Sequence, residues 1–426
     1  MKKIFNLLVF ALAALSLQSC LHDDNEIFDV PAAERIQQTV EEVKKQLKSS
    51  PNGWHLQYYT GQNYSGGGYN VFLRFSDMYC DASADYTDAG KVASSTWDVK
   101  KDQGPVLSID SYNEVIHEMS NPSSSAIDGA QGDYEFVVQK MTDDTIYLKG
   151  KKWGNHMVMT RVADDVNWKN YLEQCQLVND SIGRKYTTPQ GSVLLVDYDN
   201  HRLGIESDGV GTAYCPTPSG IVFPEAYTID GVPVNSISYN PITLVMQSEE
   251  LGGNIAEQSI TSVEWFLASR WFLTQDGAGS GAMTYFNSFK NAAMNLKGEK
   301  VGYFAIGEVS EDMWGALMNF GTNETGFTAC ALGMEYEVLG DNRITLTMDG
   351  SLAGSADYWN GQQIQQEIMN LISNKFSGRT WTLSVPSTES KRKPRKLMLK
   401  YNNSTYFYMS KDFVTYPFNP EDRVEE

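Results

Sequence analysis

Asn52-Gly53-Trp54-His55-Leu56-Gln57-Tyr58-Tyr59 is the stretch that decides the fold. Asn52-Gly53 makes a tight turn, and then Trp54, Leu56 and Tyr58 alternate with His55, Gln57 and Tyr59. Period two marks a strand with one buried face. A Gly-rich connection, Gly61 to Gly68, leads to Tyr69, Val71, Leu73 and Phe75, a second alternating strand. Upstream, Ile36, Val40, Val43 and Leu47 form the apolar stripe of a helix that Ser49-Ser50-Pro51 ends. Downstream, short strands are expected near residues 91–99, 106–109, 134–140, 145–150 and 157–161. Eight or so short strands in up-and-down order predict a small closed barrel of lipocalin or streptavidin type, with an open sandwich as the alternative.

The second half repeats the theme. Hairpins are expected at Val193–Tyr198 with Arg202–Glu206, and at Lys396–Tyr401 with Thr405–Met409; strands are expected over 242–247, 263–274, 301–306, 327–339 and 344–348. Phe286–Leu296 reads as helical. Near the end, the helical stripe Ile364, Ile368, Leu371, Ile372 precedes Ser377-Gly378-Arg379-Thr380-Trp381, and then Trp381, Leu383 and Val385 alternate. Helix, glycine, tryptophan, strand is the order already seen around Trp54. The expected fold is mainly β with a few flanking helices, in two consecutive barrel-like or sandwich-like units. The divisions are a signal over 1–19, a tether over 20–29, an N-terminal β-domain over 30–164, and a C-terminal β-rich domain over 165–426 with helices near 165–178 and 358–375.

The first residues read as a secretory signal: Lys2 and Lys3, then an apolar run from Leu7 to Leu15, then small residues. Leu17-Gln18-Ser19-Cys20 resembles the lipobox of bacterial lipoproteins, which implies acylation of Cys20 and a lipid anchor. An ordinary signal peptide with an incidental cysteine is the alternative. Asp23, Asp24 and Glu26 resemble the acidic export signal of Bacteroidota lipoproteins; a solvated acidic tether is the bland reading. These resemblances imply a cell-envelope protein held in the outer membrane and exposed at the surface, with membrane lipid as its first partner.

Phe28-Asp29-Val30-Pro31-Ala32-Ala33-Glu34-Arg35, Pro51-Asn52-Gly53-Trp54, the glycine-rich hairpin ending Leu73-Arg74-Phe75, and Leu148-Lys149-Gly150-Lys151-Lys152-Trp153-Gly154-Asn155 carry a further resemblance. Together they resemble a family of Bacteroidota lipoproteins catalogued as domain-of-unknown-function family 4302, over most of the mature chain. The resemblance implies an envelope lipoprotein and supplies no catalytic residues.

Charge excludes some partners. The 426-residue chain carries a net −19, which becomes −21 once Lys2 and Lys3 leave with the signal. No broad basic face exists for nucleic acid. Cys80, Cys175, Cys215 and Cys330 form no CxxC pair, so a zinc ribbon is not expected; free, buried thiols are favoured, and no pairing is assignable. Glu114 and His117 make a single Glu-x-x-His, half of a di-metal motif, and a solvated turn is the plainer reading. Asp197 and Asp199 begin like a calcium loop, but Arg202 stands where glycine is required. Asp81, Asp85 and Asp88 read as an acidic loop, His55 as exposed, and His156 and His201 as turn residues. Gly66-Gly67-Gly68 and Gly277–Gly281 lack the lysine and strand–helix setting of a phosphate loop. No metal site, cofactor motif or nucleophile elbow is expected. Lys391-Arg392-Lys393-Pro394-Arg395-Lys396 is the single basic cluster, in a hairpin loop. Asp144-Thr145-Ile146 and Asp180-Ser181-Ile182 resemble an O-glycosylation sequon, which marks Thr145 and Ser181 as candidates.

Aromatics make up 12% of the chain, which suits both barrel cores and carbohydrate surfaces. The expected function is non-enzymatic capture of a glycan or small-molecule ligand for nutrient uptake; sequence assigns no stacking residue. The alternative is an accessory subunit docked on a TonB-dependent transporter or surface protease, and a hydrolase is the third reading.

Overall fold

The computed structural model describes residues 32–418, apart from 103, 123–126, 210, 299, 311, 323–325 and 355–371. Cys20, Asp23, Asp24 and Glu26 lie outside the described residues. So does most of the helix expected near 358–375, of which 372–375 is described and helical.

Helix α1 (Ala32–Lys48) buries Val40, Val43 and Leu47, three members of the expected stripe. The turn after it needs Gly53. Its φ is +80, and a Cβ there would collide with the Leu73 carbonyl oxygen. Eight antiparallel strands follow: β1 (Trp54–Tyr59), β2 (Gly68–Phe75), β3 (Tyr79–Ala84), β4 (Ala93–Lys101), β5 (Pro105–Ile109), β6 (Glu135–Met141), β7 (Thr145–Gly150) and β8 (His156–Arg161). They pair in sequence order and close, with Trp54 opposite Leu73 on β2 and Arg161 on β8. The interior is filled by one cluster that includes Trp54, Leu56, Tyr58, Val71, Leu73 and Phe136. An eight-stranded barrel is just wide enough for its own side chains to fill it.

Helix α2 (Trp168–Ser181) starts on Asn167, whose side chain accepts from the Asn170 N–H. It lays Trp168, Tyr171 and Leu172 on Phe72, on the outer wall of the barrel. A nine-stranded sheet comes next: β9 (Lys185–Thr187), β10 (Val193–Asp197), β11 (Arg202–Ile205), β12 (Gly211–Ala213), β13 (Cys215–Thr217), β14 (Gly220–Ile229), β15 (Val232–Asn240), β16 (Val245–Ser248) and β17 (Gly253–Glu257). Its edges, β12 and β13, are separated by Tyr214 alone, so the sheet curls back on itself.

A second closed barrel is built from β18 (Trp271–Thr274), β19 (Lys300–Ser310), β20 (Met313–Thr322), β21 (Gly326–Gly340), β22 (Arg343–Gly354), β23 (Arg379–Ser384), β24 (Lys396–Lys400) and β25 (Tyr406–Ser410). Two helices accompany it, α3 (Ser262–Leu267) and α4 (Ser280–Lys297). The mainly β expectation holds, and the described residues form three sheets where two units are expected. Strands β3, β17 and β20 are not among the expected ones, and the expected strand 263–274 is divided: its start falls in α3, because Thr261 and Glu264 complete a reciprocal capping box that starts a helix, and its end forms β18.

The helix–tryptophan–strand echo has a physical basis. Trp54 Nε1 donates to the Leu47 carbonyl at 2.8 Å, Trp271 Nε1 to the Phe266 carbonyl at 3.1 Å, and Trp381 Nε1 to the Phe376 carbonyl at 3.5 Å. The last carbonyls of a helix lack partners, and a buried indole N–H needs an acceptor. Each tryptophan satisfies both while filling a barrel end.

By contacts the chain separates into two compact units. One takes residues up to 182 with 188–256; the other takes 183–187 with 257 onward.

Candidate functional site

The second barrel carries a cavity of about 1190 Å³ against its outer wall. Pairing register builds the floor. Ser384 faces Met398, Met398 faces Tyr408, and Tyr408 faces Thr274, so one row crosses β23, β24, β25 and β18. Opposed residues share a sheet face, and this face is the outer one, since Leu383, Leu397, Phe407 and Leu273 between them are buried in the core. A second row pairs Lys396 with Ser410. Two irregular segments complete the walls, 385–388 and 413–416. Phe413 is 59% exposed, and its ring contacts Phe272 and Tyr303 edge-on at 5.0 and 5.4 Å.

Of 17 lining residues, eight carry a hydroxyl and three carry a ring (Tyr408, Phe413, Tyr416), while only Asp276 and Lys396 are charged. A lone carboxylate is not the acid pair that glycoside hydrolysis needs. Hydroxyls and rings instead suit a ligand that offers both hydroxyls and flat apolar faces.

A smaller cleft of about 520 Å³ lies beside the β15–β16 turn, lined by Pro218, Tyr239, Pro241 and Val245 among others. The turn itself presents Ile242, 86% exposed, with Leu244 and Val245. Leu244 holds a left-handed φ of +59, and its N–H bonds to the Asn240 carbonyl.

The first barrel places its perturbed groups under α2. His55 Nε2 lies 2.7 Å from Asn70 Oδ1, and Asn70 Nδ2 donates to Asp85 Oδ2 at 2.6 Å and to the Pro216 carbonyl at 2.7 Å. Gln176 of α2 donates to the Asp85 carbonyl. Burial pushes the Asp85 carboxyl up to about 7, although bonds from Asn70 pull it down. Burial likewise pushes His55 down to about 4. The expected exposed His55 is therefore corrected: α2 covers this wall, and the imidazole packs between Phe72 and Tyr171. The Cys175 and Cys215 thiols lie near Asp85, but burial raises both, and the chain reads as a polar seam between wall, helix and β13.

The other candidates are dispersed. Asp81 sits on β3 and pairs with Arg74, apart from the Asp85 seam, while Asp88 accepts from the Gly90 N–H. Glu114 turns to Lys91, and His117 Nδ1 accepts from the Asn113 N–H. His201 Nδ1 lies 2.6 Å from the Gly68 carbonyl oxygen, and the ring stacks on Tyr214. Arg392 grips Glu257 through two bonds of 2.6 and 2.9 Å, and Arg395 pairs with Asp412. Thr145 opens β7 beside an exposed turn, and Ser181 closes α2 with its hydroxyl on the Val178 carbonyl. Cys80, Cys175, Cys215 and Cys330 are free and buried, and burial raises all four thiols.

An exposed aromatic row does appear on the first barrel. Tyr112, His117 and Tyr134 follow one another at 5.4 and 4.6 Å between ring centroids. His117 stacks on Tyr134 and is tilted against Tyr112, so the half-buried imidazole fills the space between the two tyrosines. Among the described residues, no group of three or more His, Cys, Asp or Glu is placed to hold a metal, and no helix is long and apolar enough to cross a membrane.

Sequence reasoning missed the cavity. Three strands of its floor, β23, β24 and β25, are consecutive, but only the closing of β18 on β25 sets Thr274 beside Tyr408, and the walls come from irregular segments.

No curated protein matches the chain. A family model described as a domain of unknown function (DUF4302) matches residues 24–241, a span that holds the first barrel and the sheet through β15 and stops before the second barrel. The chain belongs to the DUF4302 family.

Proposed function

We propose that the protein is a non-enzymatic binding lipoprotein of the outer membrane. In this reading the acylated Cys20 anchors it, the acidic residues Asp23, Asp24 and Glu26 direct it to the surface, and the body captures a glycan or other small molecule for uptake. The observation that carries the binding role is the cavity of about 1190 Å³ with its hydroxyl and ring lining. Small-molecule sites commonly occupy about 300–1,000 Å³, so the volume suits an oligomeric ligand.

Thermal melts of the mature chain against soluble oligosaccharides test it. A ligand that binds only the folded state raises the midpoint, by the equivalent of about 2.7 kcal/mol at a hundredfold excess over its Kd. The reading expects such a rise in the wild type and its loss in Tyr408→Ala. Midpoints that no sugar moves, or a rise that Tyr408→Ala retains, contradict it.

The docking alternative draws on one observation, the exposed Ile242, Leu244 and Val245 beside the smaller cleft. Under that reading Ile242→Asp loses an envelope partner that copurifies with the wild type, and sugar binding is absent.

A further inference from the structure

We propose that the cavity on the second barrel selects a carboxylate-bearing sugar, a uronic acid oligomer, with Lys396 meeting the carboxylate. This rests on the ligand-binding reading above and narrows it to a chemical class.

The basic cluster 391–396 supplies the first observation. Two of its arginines are neutralised within the fold, Arg392 by Glu257 and Arg395 by Asp412. Of the cluster's lysines, Lys396 is the one that borders the cavity. Among the described residues its side chain makes no ion pair and no hydrogen bond, and it borders the cavity from β24. A solvated lysine needs no partner by itself.

The lining around it supplies the second observation. Lys396 and Met398 are two residues apart on one strand and share the outer face. Directly opposite are Ser410 and Tyr408. The ammonium therefore sits at one side of a floor that already offers an apolar patch, a phenol ring and hydroxyls. A sugar ring lying on Met398 and Tyr408 would find hydroxyl partners in Ser384 and Thr274, and a carboxylate on its rim would fall within the reach of a flexible lysine.

Charge counts narrow the class further. One cation and one carboxylate, Asp276, line the cavity. A densely sulfated polymer would bring several anions to a single lysine and one aspartate, in a chain of net charge −19. A neutral sugar would leave the lysine unused. A ligand with one carboxylate per sugar, engaged one at a time, matches the lining.

The test is calorimetric titration of the full mature chain with trigalacturonate and with its methyl ester, which is the same sugar without charge. Wild type is expected to bind the acid about tenfold tighter than the ester, the scale of one charge-assisted hydrogen bond. Lys396→Met should bring the acid down to the ester's affinity and leave the ester unchanged, and Lys396→Arg should restore most of the preference. Equal affinities in the wild type, or a preference that survives Lys396→Met, overturn the inference while the ester's binding keeps the ligand-binding reading. Binding of neither sugar at millimolar concentrations overturns the inference, and thermal shifts with other sugars then decide the broader reading separately.

Discussion

The two closed barrels share a strand count and a way of plugging an end with tryptophan, yet their outer walls have different fates. In the first, the β1–β2 wall is packed over. Phe72 takes the rings of Trp168 and Tyr171, and Asn70 ties His55, Asp85 and the Pro216 carbonyl into one seam. In the second, no helix among the described residues packs over the β23–β24–β25–β18 wall. Loops 385–388 and 413–416 stand around it and leave about 1190 Å³. The first barrel's interior is filled by its own side chains, and the cavity of the second lies on a wall. A wall covered by helix and sheet serves cohesion; a wall edged by loops is available for binding.

The strongest way to break this comparison is at the shared plugs. Trp54→Ala and Trp381→Ala each remove a fully buried indole, with an expected cost of about 3–5 kcal/mol. Hydrogen exchange should show Trp54→Ala loosening 54–161 and Trp381→Ala loosening the second barrel. If either variant loosened both alike, the two barrels would not be separate cooperative cores.

The seam comes next. Asn70→Ala leaves His55, Asp85 and the Pro216 carbonyl without their amide partner, for about 2–4 kcal/mol in a urea melt. Loss of under about 1 kcal/mol would mean the covered wall is held by the rings alone.

A pH series sharpens the same wall. Folding lowers His55 to about 4, so between about 4 and 6.5 the unfolded chain binds more protons and this group makes stability rise with pH. Folding raises Asp85 to about 7, so between about 4 and 7 the folded chain holds more protons and this group makes stability fall with pH. The two slopes oppose across most of that window. His55→Gln removes only the rising one. Its melting temperature relative to wild type should therefore climb by several degrees as pH drops from 7 to 4.5, and an unchanged difference would place His55 in solvent.

The smallest stability effect belongs to the open wall. Tyr408→Ala should cost about 1–2 kcal/mol, since the ring is half-buried and touches Gly277 and Tyr406 at its edges, while abolishing ligand binding. A cost of several kcal/mol would show that the floor is structural.

Much of the first barrel was legible in sequence, because its strands alternate cleanly and its turns are short. Thr145–Gly150 is matched at both ends, and Trp54, Leu56 and Tyr58 face inward as their spacing requires. The capping box of Thr261 and Glu264 was passed over, because the apolar residues after it read as strand. The cavity was not legible. Ser384, Met398 and Tyr408 pair through sequential strands but are unremarkable one at a time, and closure of the barrel adds Thr274 to the row. His55 misled for a related reason: alternation says which face a residue takes, and tertiary packing decides whether that face meets water.

The central claim is that binding happens on the open wall of the second barrel. Hydrogen–deuterium exchange of the mature chain, with and without a saturating sugar that raises its melting midpoint, tests it most directly. The account expects added protection confined to 384–388, 396–398 and 408–416. Protection confined instead to the Tyr112–Tyr134 row or the 240–245 turn, or no protection anywhere, would contradict it.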